Sequence, residues 1–190
     1  METSVILNNQ KETISISKVN KKNQTPYWKP GYINQKLQQI NNTKHIMLFS
    51  FFWKSGARVS EVINIKKRQI DFENYLIKLK WLKSRKYKER VCPLHPDLYN
   101  MLRMYTSKIN TEDKLFPYSR QYVWRICIKY FKGNPHMFRH SFAVNWLNQG
   151  LDLYLLSKML GHSNIKTTEE YLKIVPQDIG KELIKVKFSN

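Results

Sequence analysis

His136-Met137-Phe138-Arg139-His140 is followed by Gly161-His162-Ser163 and then Tyr171, and upstream Ser55-Gly56-Ala57-Arg58-Val59-Ser60-Glu61 supplies a second arginine. Two guanidiniums can clamp a phosphodiester, because each presents a planar fork of donors that matches phosphate oxygens. Imidazoles titrate near neutral pH and can move protons. A tyrosine can attack phosphorus and hold the product covalently. In this order and at helical spacings, the set reads as phosphoryl transfer on DNA through a covalent tyrosine, with no metal and no cofactor.

Composition agrees with a nucleic-acid partner. The formal charge is +19, from 33 Lys+Arg against 14 Asp+Glu. A basic surface that only keeps a domain soluble rarely needs such an imbalance, so a polyanion is expected. Hydrophobic residues make up 42% and aromatics 13% of 190 residues, enough for one full core. Cys92 and Cys127 lack a CxxC spacing and fall in apolar stretches, which points to buried thiols in a reducing compartment and away from zinc. The start is polar, without an apolar signal core, and the best apolar run, Ile46 to Trp53, is too short to span a bilayer. A soluble, cytoplasmic protein is expected, nucleoid-associated in a prokaryotic or viral context and with no membrane partner.

These residues need elements to position them. Residues 1–26 read as a polar basic arm, and Pro26 and Pro30-Gly31 punctuate the start of the compact part. Helices are expected over Ile33–Ile40, Lys44–Lys54 (ended by Gly56), Pro96–Lys108, Ser119–Phe131, Met137–Asn148, Leu151–Leu160 and Thr167–Val175. Glu61 to Ile65 begins a short helical or extended piece. Tyr75 to Trp81 alternates as a half-buried strand, with Tyr75, Ile77, Leu79 and Trp81 on one face. Glu89 to Leu94 is a second strand, and Lys83 to Lys88 form a basic hairpin tip between them. The expected class is α+β, mostly helical, with one small antiparallel sheet.

The stretch HMFRHSFAVNWLNQGLDLYLLSKMLGHSNIKTTEEYLKI, from His136 to Ile174, resembles the tyrosine recombinases, also called phage integrases. SGARVSEVINI, Ser55 to Ile65, is similar to that family's first-arginine motif, and a basic β-hairpin lies between the two pieces. His162 follows Arg139 by 23 positions and Tyr171 follows His162 by 9, intervals that suit the family. The resemblance covers residues 27–175 and implies the family's catalytic-domain fold. It implies that Tyr171 is the nucleophile, leaving a 3′-phosphotyrosyl bond and a free 5′-hydroxyl. Arg58 and Arg139 then grip the non-bridging oxygens, His136 accepts the tyrosyl proton and His162 helps to hold the scissile phosphate. His140 is assigned to structure.

In the family a hairpin lysine protonates the leaving oxygen. The commonest register lands on Arg85, a poor acid because its pKa is above ~12, which leaves Lys83 first and Lys86 second. Lys80, Arg85, Lys86, Lys88, Arg90 and Arg125 are expected to meet DNA. The resemblance further implies a double-stranded recombination site as substrate, a tetramer on DNA and accessory DNA-bending proteins. The family's N-terminal core-binding domain is expected to be reduced or absent, and residues 176–190 are expected to form a tail that packs in cis or in trans. Other readings remain open from sequence. They are a non-catalytic helix-turn-helix binder using Leu151 to Tyr171, a decayed recombinase, and a nicking enzyme like the type IB topoisomerases. Each residue also has a plain reading: Arg58 as a salt-bridge partner of Glu61, Tyr171 as one of eleven structural tyrosines.

Overall fold

The computed structural model describes residues 26–83 and 86–175. The basic arm before it, Arg85, and the 176–190 tail lie outside the described residues, as do the side chains of Lys83 and Lys86.

Helix α1 (Pro30–Gln38) starts on proline, whose missing N–H costs nothing in a first turn. Helix α2 (Thr43–Ser55) is the central one. Asn42 caps it by accepting from the His45 N–H at 3.1 Å, and Gly56, at φ 58°, ends it in the left-handed region. Met47, Leu48, Phe49, Phe51, Phe52 and Trp53 are all buried. A helix apolar on every side must be wrapped, and α2 is packed by α1, by α3 (Val59–Val62), by α4 (Pro96–Thr106) and by α6 (His136–Asn148). Phe131 and Phe138 meet Phe49 with ring centroids 4.9 and 5.6 Å away, closing the aromatic centre of the core.

A 3₁₀ turn at Lys67–Gln69 leads into a three-stranded antiparallel sheet of order β1 (Ile70–Asp71), β2 (Leu76–Lys83) and β3 (Lys86–Pro93). Its register pairs Ile77 with Cys92 and Lys83 with Lys86. Ile77, Leu79 and Cys92 are buried, while Lys78 and Lys80 are exposed, the alternation expected of a half-buried strand. Tyr75 departs from it. It sits in the preceding turn at φ 55°, is 53% exposed and stacks on Tyr99 at 4.9 Å, because the turn must reverse the chain before the pleat begins.

Helix α5 (Arg120–Phe131) is capped by Ser119 and buries Val123, Ile126, Cys127 and Phe131. Helix α7 (Leu153–Leu160) is capped by Asp152, which accepts from the N–H groups of Tyr154 and Leu155, and ends at Gly161 with φ 65°. The helix expected over 167–175 is split into α8 (Lys166–Glu169) and a 3₁₀ turn, Glu170–Lys173, that carries Tyr171. The tighter turn brings Tyr171 inward to 4% exposure. Four residues of α8 are too few for a recognition helix, so the helix-turn-helix reading of Leu151 to Tyr171 has no structural counterpart. Both cysteines are buried and free, and burial pushes the Cys92 thiol up to about 11. Among the described residues no helix is long and apolar enough to cross a membrane.

Candidate active site

The site is built where three helix ends meet. Gly56, at the end of α2, turns the chain so that Arg58 falls at the start of α3. A Cβ on Gly56 would lie 2.6 Å from a Phe142 ring carbon, so a side chain is excluded there on space as well as on φ. Arg139, on α6, is buried to 5% exposure, and its guanidinium donates to the Gly56 carbonyl at 2.9 Å and to the Leu160 carbonyl at 2.6 Å. Both acceptors sit at helix C-termini, where carbonyls are unpaired and carry partial negative charge. Arg139 thus ties α2 to α7 and keeps further N–H donors for an anion. Burial, then the charges of Arg58 and Arg90, push it down to about 9, which still leaves it charged at neutral pH.

Arg58 is held by Glu61. One carboxylate oxygen accepts from Arg58 Nη1 at 2.9 Å, and the other accepts the Arg58 backbone N–H at 2.7 Å. The guanidinium also lies 5.5 Å from the Trp81 ring centroid and reaches toward the Gly161 carbonyl at 3.4 Å. The Arg58–Glu61 pair anticipated as a plain salt bridge exists, and it orients the arginine.

From sequence, Arg90 is expected among the DNA contacts; in the structure it borders the groove, but its guanidinium is engaged within the protein. Arg90 is 6% exposed, donates to Glu61 Oε2 at 2.9 Å and bonds the Met159 carbonyl. It lies on the inward face of β3, so its charge is answered inside the protein. It is a positioning residue that locks β3 and α7 to the carboxylate holding Arg58. Burial would raise the Glu61 carboxyl, but Arg90 and Arg58 outweigh this and hold it below its ordinary value. Three guanidiniums around one carboxylate leave a net positive pocket, a ready place for a phosphate.

His162 follows the Gly161 turn. A Cβ on Gly161 would meet Arg90 Cδ at 2.6 Å, so the turn must be glycine to let the arginine pass beneath. His162 Nδ1 is 2.8 Å from the hydroxyl of Thr168, which is fully buried. With Nδ1 occupied, Nε2 is the nitrogen left for a ligand. Burial and the cations Arg139, Arg58 and Arg90 push His162 down to about 4, so it is neutral at pH 7. Arg58, Trp81, Lys88, Gly161 and His162 line an open groove of about 750 Å³.

His136 opens α6, exposed, with its backbone N–H on Asn134 Oδ1 at 3.0 Å. Shielding from water, then Arg139, Arg120 and Arg58, lower its pKa. His140, assigned to structure from sequence, lies one turn on, and its Nδ1 is 3.0 Å from the Tyr171 hydroxyl. The signal was present, since positions 136, 139 and 140 share one helical face, and adjacency to Arg139 does not turn His140 away from it. Burial raises the Tyr171 phenol, and Arg139 and Arg58 pull it partly back.

The remaining expected contacts scatter. Lys88 is exposed on the groove. Lys80 is on the other face of the hairpin, paired with Glu89 at 3.4 Å. Arg125 is exposed on α5 over the Tyr122 ring at 5.2 Å. Lys83 and Lys86 face each other across the end of the hairpin register. Among the described residues, no group of three or more His, Cys, Asp or Glu could hold a metal ion.

Comparison with known proteins bears on fold and family. Tyrosine recombinase XerA of Thermococcus onnurineus (strain NA1) is 33% identical over 153 residues, which is 71% of this chain and 52% of the relative. The catalytic domain of bacteriophage HP1 integrase has the same fold, with a TM-score of 0.68 at 21% identity, covering 88% of this chain and 98% of that one. The Tn1549 transposon integrase, solved in complex with transposon right end DNA, gives a TM-score of 0.65 at 20% identity, covering 84% of this chain and 65% of that one. The chain spans about half the length of the curated relatives it matches. The family profile described as "Phage integrase family" matches residues 32–177, from α1 to beyond the turn bearing Tyr171, and the chain belongs to that family.

Proposed function

We propose that this chain is a site-specific DNA recombinase of the tyrosine type, which cleaves and rejoins DNA through a 3′-phosphotyrosyl intermediate. The observation that carries the reading is that Arg58, Arg139, His162 and Tyr171 come from four separate segments close enough for both arginines to act electrostatically on His162 and Tyr171, beside a groove that Arg58 and His162 line. Residues 27–175 form the catalytic domain, with 1–26 as a basic arm and 176–190 as a tail that packs in cis or in trans.

The chemistry follows from the placements. The scissile phosphate enters the groove and its non-bridging oxygens meet the free donors of Arg58 and Arg139. These stabilise the charge that grows on the pentacoordinate phosphorus. Neutral His162 donates from Nε2, and His136, which the resemblance implies as acceptor of the tyrosyl proton, stands at the start of α6. Tyr171 Oη attacks phosphorus, and the bond to the 5′-oxygen breaks. Lys83 at the end of β2 protonates that oxygen, with Lys86 opposite it as the second candidate. A lysine with an ordinary pKa near ~10.4 is a usable acid where arginine is not. The covalent ester conserves the energy of the phosphodiester, so rejoining is the same step reversed with another strand's 5′-hydroxyl. A duplex recombination site, a tetramer on DNA and accessory DNA-bending proteins complete the proposed reaction. Likeness to an integrase solved with DNA supports the first of these.

The test is covalent capture. The protein is incubated with nicked duplexes tiled from the DNA flanking its own gene, in EDTA, and resolved on denaturing gels. A wild-type adduct on a 3′ end that Tyr171→Phe abolishes supports the reading. Binding without an adduct on any fragment contradicts it.

A further inference from the structure

The imidazole that touches the nucleophile is not the one at the head of α6. His140 Nδ1 stands 3.0 Å from Tyr171 Oη, with ring centroids 5.8 Å apart. Tyr171 is 4% exposed, and among the described residues its hydroxyl has no other hydrogen-bond partner. We propose that His140 holds the Tyr171 hydroxyl and takes its proton through Nδ1 as the phenolic oxygen attacks phosphorus. The inference rests on the recombinase reading of Tyr171.

The step balances without any co-reactant. Neutral His140, protonated on Nε2, accepts the phenolic proton at Nδ1 and becomes imidazolium. The Oη–phosphorus bond forms, the bond from phosphorus to the 5′-oxygen breaks, and the hairpin lysine gives that oxygen its proton. In rejoining, His140 returns its proton to the departing tyrosine.

The surroundings set when His140 can act. It is influenced by His136 and Arg139 on its own helix and lies near His162 from the connection after α7 and Tyr171 from the 3₁₀ turn. Burial, then His136 and Arg139, push it down to about 4. In the free protein it is therefore unprotonated and ready to accept. Its imidazolium is disfavoured by cations that the DNA phosphate will neutralise. Substrate binding thus raises the basicity of His140 at the moment when a base is needed. His136, by contrast, has no hydrogen bond to Tyr171 among the described residues.

The experiment uses the full chain on the nicked duplex that captures it, measuring single-turnover adduct rates from about pH 5 to about pH 9. Wild type, His140→Ala and His140→Asn are compared, with Tyr171→Phe as the blank. His140→Ala is expected to slow capture by about 10²–10⁴-fold, the usual worth of a positioned base. Its rate should climb with pH, and added imidazole should restore part of it. His140→Asn, which keeps a hydrogen-bond acceptor but cannot take the proton, should be slowed comparably. Three results overturn the proposal: a His140→Ala rate within about threefold of wild type or faster, full activity in His140→Asn, or a wild-type rate that itself climbs about tenfold per pH unit between 7 and 9. The last shows a phenol that ionises unaided, and it needs no variant to fold. A wild-type chain that gives no adduct overturns the recombinase reading and this one together, whereas a wild-type adduct unaffected in both His140 variants overturns this one alone.

Discussion

Glu61 is a carboxylate with no side-chain exposure between two guanidiniums, Arg90 at 4% and Arg58 at 28% side-chain exposure. Removing one partner of such a buried pair strands a charge that water cannot reach. Glu61→Ala is expected to cost about 3–5 kcal/mol of stability in urea unfolding. Glu61→Gln should fold better but hold Arg58 less firmly, lowering the capture rate at constant DNA affinity. The histidines set a pH dependence of definite sign. His140 and His162 have pKa values of about 4 in the folded chain against an ordinary 6.5. As pH falls through the window from 6.5 to 4, the unfolded chain takes up protons that the folded chain refuses, so stability is lost. The unfolding midpoint should therefore drop between about pH 7 and about pH 4.5, and His162→Asn should flatten that slope. An unchanged slope would mean that His162 is not held neutral by the arginines around it.

At the scale of elements, the site depends on turns more than on helices. Gly161 ends α7, aims His162 and leaves room for Arg90. Gly161→Ala forces a side chain into φ 65° and against Arg90 Cδ, and should destabilise by more than about 1 kcal/mol in thermal unfolding while also slowing capture. Helices and strands were legible in the sequence because their periodicities are strong: α2 as a continuous apolar run, β2 as an alternation, α7 between Asp152 and Gly161. What was not legible came from tertiary geometry. Arg90 looks like any other hairpin cation until the register puts it on the inward face opposite Glu61. Tyr75 continues an alternation that the turn interrupts. That His140 shares a helical face with His136 and Arg139 is readable from spacing, but the split of the last helix and the meeting of Tyr171 with that face depend on how a 3₁₀ turn docks on α6, and no local pattern encodes that. Arg58, Arg139, His162 and Tyr171 were legible because their chemistry and intervals are unusual together, although each alone is ordinary.

At the scale of the molecule, a +19 chain with a positive groove should bind duplex DNA largely through counterion release. Affinity measured by fluorescence anisotropy should fall linearly with salt on a log–log plot. Lys88→Ala, on the groove wall, should reduce the slope by about one phosphate contact, whereas Arg90→Met should change the slope less, because the Arg90 guanidinium is already bound by Glu61 and the Met159 carbonyl. Equal slopes for Lys88→Ala and wild type would place the DNA elsewhere than this groove. The step that defines the enzyme is covalent, and mapping the trapped adduct is its sharpest test. The captured protein is digested with protease and nuclease, and the peptide that carries a residual nucleotide is sequenced by mass spectrometry. A 3′-phosphotyrosyl linkage is expected on Tyr171 and on no other residue. A nucleotide on another tyrosine, on a histidine or on a serine, or a protein that binds the duplex tightly and carries none, would contradict it.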